Sequence, residues 1–112
     1  MQHLEVQSYA AMTEDELFAQ IAEVTSGAGL LPEDLRERAR LGKIRFLEIK
    51  DFVASKICSP AVRAELSAQG DVTKLAIAVG DILSTLLTGQ PLILVSVLIA
   101  KIGLDSFCPR DA

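Results

Sequence analysis

The chain has 112 residues, of which 50% are hydrophobic, 4% aromatic and 23% charged, with a formal net charge of −4. That length and apolar content exclude a disordered chain and fit a single domain over 1–112 with one core. The acidic balance argues against general nucleic-acid binding, which draws on a basic excess to displace counterions from phosphate.

Residues 1–12 show no firm period and read as a loose N-terminal arm or a short helix. The first clear start is Thr13, followed three residues on by Glu16, a capping box in which side chains and backbone N–H groups satisfy each other. Leu17, Ile21 and Val24 recur at helical spacing with Phe18 beside them, and Gly27-Ala28-Gly29 ends the run. Pro32 suits a first helical turn, with Glu33 and Asp34 placed where the helix dipole favours acids. Gly42 reads as a break between a short helix and a longer one. The longer one carries Phe46, Ile49, Val53 and Ile57 on its buried stripe, widened by Leu47 and Phe52. Alternation over 43–50 also fits a strand, but the helical period continues through Ile57.

Cys58-Ser59-Pro60 stops one helix and starts another, with Ser59 as cap and Pro60 in the first turn. Gly70 closes it and Asp71 caps the next, in which Val72, Leu75, Ala76, Val79, Ile82, Leu83 and Leu86 form an amphipathic stripe. Gly89-Gln90-Pro91 reads as a turn, and 92–104 is apolar on nearly every face. The expected fold is all-α, a compact bundle of about five or six short helices ending in a very apolar helical hairpin. Antiparallel register in that hairpin brings Lys74 level with Asp105 and Asp81 level with Lys101.

The uncharged run 82–100 is long enough to cross a hydrocarbon core of about 30 Å. A membrane segment is the competing reading. The Gly-Gln-Pro breaker at its middle and the expense of a lipid-facing Asp81 favour a buried hairpin instead.

Residue types that carry chemistry are few. His3, the one histidine, lies in the N-terminal arm and builds no Ser/His or Cys/His pair. The Gly-Ala-Gly fragment follows a helix and lacks the Lys-Ser/Thr of a phosphate loop. Glu14, Asp15 and Glu16, like Glu33 and Asp34, sit in first turns, where capping and dipole account for them. Cys58 and Cys108 have no metal-ligand spacing. They read as half-buried structural thiols at helix ends, a disulfide between them being the less favoured alternative in a reducing cytoplasm, the default for a chain with two cysteines and no visible secretory signal. No cofactor, metal or catalytic constellation is expected.

The strongest charge feature is a change of sign. Residues 1–31 hold Glu5, Glu14, Asp15, Glu16 and Glu23 and no Lys or Arg, whereas 36–45 carries Arg36, Arg38, Arg40, Lys43 and Arg45 against Glu37 alone. The basic run could hold phosphate or an acidic protein surface, or screen the acidic segment of its own chain. Without interleaved aromatics, nucleic acid is the weaker partner. The style is similar to that of small bacterial helical adaptor, immunity and regulatory proteins, and no motif is specific to one of them. The expected function is a non-enzymatic protein–protein interaction module. Glu14, Asp15, Glu16, Glu23 and the five bases would be its contacts, and opposed patches would allow head-to-tail self-association. The alternative is a small membrane-active protein inserting 82–100.

Overall fold

A computed structural model describes residues 2–26 and 31–109, so the expected Gly27–Gly29 turn lies outside the described residues. Seven helices and no strands occur among them. The N-terminal arm is helical: α1 (His3–Ala10) buries Val6 completely and packs on the two helices described below as α5 and α6. Exposed Leu4 lies on a different side from Val6, Tyr9 and Ala10, which leaves no readable period, but Val6 reaches the core.

The capping box forms as expected. Thr13 Oγ1 accepts from the Glu16 N–H and Glu16 Oε1 from the Thr13 N–H, both at 3.1 Å, and α2 (Glu14–Ser26) buries Leu17, Phe18 and Ile21. The next helix starts three residues later than Pro32. Asp34 is its N-cap, accepting from Arg36 N at 2.9 Å, because a carboxylate outside the first turn satisfies a free N–H more directly than one within it.

Gly42 does not break this helix. α3 (Leu35–Ile57) is continuous over 23 residues. Gly42 is buried inside it because a Cβ there would fall 1.6 Å from the Phe18 carbonyl oxygen of α2. Close backbone approach, rather than helix termination, explains the glycine. Phe18 meets Gly42, while Glu23, five residues further along α2, meets Arg38, four residues back along α3, so the two helices run antiparallel. Leu47 and Phe52, expected to widen the core stripe, are 52% and 60% exposed.

Pro60 opens α4 (Pro60–Ser67), which buries Leu66. Asp71 caps α5 (Val72–Leu83) by accepting from Lys74 N at 2.8 Å. The Gly-Gln-Pro triplet is not the connection; the turn occupies 84–88, and Gly89, at φ +65°, begins α6 (Gly89–Ile102). Proline is tolerated there because first-turn N–H groups have no intrahelical acceptor. Every residue from Leu92 to Ala100 is buried, so α6 is the central helix, with α1, α2 and α5 packed around it. The 82–100 run is thus divided between two helices and a turn, and among the described residues no helix is long and apolar enough to cross a membrane.

Gly103, at φ +92°, ends α6 and leads into α7 (Leu104–Phe107). Among the described residues, neither Lys74 and Asp105 nor Asp81 and Lys101 form an ion pair. Lys101 Nζ donates to Ala10 O and Met12 O, whereas Asp105 pairs with Arg63 of α4 at 2.6 Å. Cys58 and Cys108 are joined by a disulfide, with 5.6 Å between their Cα atoms. The half-buried free thiols expected from sequence are replaced by a buried covalent link between the end of α3 and the residue after α7. The radius of gyration, 13.6 Å, matches the ~13 Å of a compact chain of about this length.

Candidate functional site

The sign reversal in the sequence becomes a structural one because α2 and α3 fold back on each other. Their approach at Phe18 and Gly42 leaves a shallow cleft of about 300 Å³, with Glu14 and Asp15 on its α2 wall, Arg36, Arg40 and Lys43 on its α3 wall, and Phe18 and Ala39 also lining it. Among the described residues, none of these acids comes within 4.0 Å of these bases. The cleft therefore presents charge of opposite sign on its two walls.

The other expected contact residues are committed within the chain. Glu16 completes the capping box. Glu23 pairs with Arg38 at 3.1 Å, and Arg38 also donates to the Pro32 carbonyl, which ties the ends of the α2–α3 connection together. Arg45 lies 3.9 Å from Glu48 on its own helix. Both ion pairs are partly solvated and contribute little stability, about 0–1 kcal/mol each. The acidic and basic blocks of the sequence are neighbours within one molecule, and part of the basic run screens its own acidic segment.

Sequence reasoning did not foresee an apolar element here. Ile44 and Leu47 are 48% and 52% exposed on the side of α3 turned away from the core, beside the cleft through Arg40 and Lys43. Period alone gave no warning, because α3 carries apolar residues around more than one face. The opposite side of the helix is anchored by Phe46, whose ring lies edge-on to Phe18 at 5.7 Å and to Phe107 at 6.0 Å. Lys50 Nζ sits 5.9 Å from the Phe107 centroid. This aromatic row holds α2, α3 and α7 as one rigid support for the exposed face.

A second cavity, about 330 Å³, is lined chiefly by Ile21, Phe46, Ile49, Leu87 and Val95, with Arg45 and Glu48 at its polar part. No group of three His, Cys, Asp or Glu side chains among the described residues could hold a metal ion. His3 is exposed on α1.

No family model, no curated protein and no solved structure matches this chain.

Proposed function

We propose that the protein is a non-enzymatic helical protein–protein interaction module and that its contact surface is the exposed side of α3 with the adjoining charged cleft. The observation that supports this reading is the pairing of two exposed aliphatic side chains, Ile44 and Leu47, with flanking charges of both signs on a well-braced helix. Apolar centres rimmed by charge are the usual anatomy of a protein-binding patch: the centre supplies burial and the rim supplies orientation. Arg36, Arg40, Lys43, Glu14 and Asp15 form that rim.

The Cys58–Cys108 bond bears on where such a module works. A bonded pair fits an oxidising compartment better than the cytoplasm expected from the cysteine count.

A photo-crosslinking amino acid at position 47, introduced in the native cells, tests the reading against the same group at the exposed Gln69. Adducts to protein specific to position 47 are expected. Identical adduct patterns at the two positions, or none at either, would overturn it.

A further inference from the structure

Four side chains on the outer side of α3, Arg40, Ile44, Leu47 and Asp51, follow one another at spacings of four, three and four residues. On a helix those spacings place them in one nearly straight stripe about 16 Å long, the spacing of a coiled-coil seam. All four are exposed, the two aliphatic ones by about half of their surface. Within this structure the stripe has a basic end, an aliphatic middle and an acidic end, and nothing covers it.

That order makes the stripe complementary to itself when reversed. Against an antiparallel copy, a single register sets Arg40 opposite Asp51, Ile44 opposite Leu47, and the same two contacts again on the other side of the axis. A parallel copy would set Arg40 against Arg40 and Asp51 against Asp51, which is repulsive. We propose that α3 pairs with α3 of a second copy of this chain, antiparallel, about a two-fold axis lying between Ile44 and Leu47. The proposal rests on the interaction-module reading and names the partner. It also differs from head-to-tail association, since Glu14 and Asp15 already face Arg36, Arg40 and Lys43 within one molecule, whereas the α3 stripe makes an isologous contact that closes at two copies.

Three turns of helix per copy, with the cleft rims beside them, bury less than the about 1,200 Å² of a stable complex, so the dimer is weak and fills at high concentration. Its fixed charge pattern sets register and orientation more than affinity.

Sedimentation equilibrium of the full chain from about 10 μM to about 1 mM in low salt, a range that brackets weak association, tests this. The expected mass rises from one chain of 12.0 kDa to two and stops there. Growth past two copies, or a monomer throughout, overturns the proposal. Arg40→Asp and Asp51→Arg are each expected to weaken dimerisation on the order of tenfold. The double variant R40D/D51R, which swaps the pair, should return the dissociation constant to within about threefold of the parent value. A double variant that stays folded by circular dichroism and remains as weak as the singles overturns the register. Arg40 also borders Glu14 and Asp15, so Leu47→Glu provides a second route: a folded, monomeric L47E is expected, and an unchanged dimer counts against the surface. If the parent chain is monomeric while a crosslinker at position 47 captures a different protein, self-pairing is wrong and the module reading stands. A monomer with no adduct removes both.

Discussion

Gly42 of α3 lies against the Phe18 carbonyl of α2 so closely that a methyl group at position 42 would sit 1.6 Å from that oxygen. Two backbones in contact at one glycine fix the depth at which the helices interlock, and with it the distance across the acid–base cleft that flanks the contact. Alanine is the better helix former by about 1 kcal/mol, yet the obstacle here is backbone and cannot rotate away. Gly42→Ala is therefore expected to destabilise the fold by about 1–2 kcal/mol net, an overpacking cost at the upper end of about 1–3 kcal/mol less the propensity gain. Urea titration of both proteins reads it, and a variant as stable as the parent would show that the helices separate at little cost.

The Cys58–Cys108 bond closes a loop with a sequence separation of 50. On the chain-entropy account, a link of that span restricts the unfolded chain enough to stabilise the native state by about 4 kcal/mol. Reduction, or paired Cys→Ser replacement, should lower the denaturation midpoint accordingly. Alkylation of the unreduced, denatured protein followed by mass measurement should find neither cysteine modified. Incorporation of two alkyl groups would return both residues to free thiols.

Much of the fold was legible because local signals agreed with the tertiary result. The Thr13/Glu16 box and the Asp71 cap fix helix starts by hydrogen bonding, and Pro60 by its preset backbone angle in a first turn, none of which needs a distant partner. Where the sequence misled, a distant partner decided. Gly42 reads as a terminator until Phe18 is placed against it, and Lys101 reads as a hairpin ion-pair partner until the carbonyls at the end of α1 arrive. The two cysteines lie 50 residues apart with four helices between them, and spacing carries no information about such a meeting. For the candidate surface, charge identity was visible but geometry was not. Glu23 and Arg38 both looked available and are bonded to each other. Ile44 escaped notice and Leu47 read as part of the buried stripe because an exposed aliphatic residue on a helix has no sequence mark that separates it from a buried one.

Lys101 holds the N-terminal helix in place. Its Nζ, part-buried, donates at 2.8 Å to Ala10 O and 2.6 Å to Met12 O, carbonyls at and just beyond the last turn of α1, where a cation suits the negative end of the helix dipole. Lys101→Met keeps the aliphatic stem and removes both charge-assisted bonds. A loss of about 1–3 kcal/mol is expected, lower than two such bonds would give in isolation because water reaches the freed carbonyls. The loss should be concentrated in residues 3–12, with faster amide hydrogen exchange there and little change in α6. Uniform acceleration across the chain would mean that α1 unfolds only with the whole protein.

Ser96 is the one fully buried polar side chain among the described residues, and its Oγ has no hydrogen-bond partner there. It lies in the middle of α6, with every neighbour from Leu92 to Ala100 buried as well. A hydroxyl taken out of water without an acceptor or donor opposite it costs about 1–3 kcal/mol. Alanine removes that cost, leaves a void of only one oxygen, and is the more favourable helix residue by a few tenths of a kcal/mol. Ser96→Ala is thus expected to raise stability by about 1 kcal/mol, which for a domain of this size shifts the thermal midpoint upward by roughly 4–8 °C. Calorimetry under oxidising conditions keeps the Cys58–Cys108 contribution constant between the two proteins. A fall in the midpoint would mean that the hydroxyl is paired in solution, its natural acceptor being a carbonyl one turn back along α6.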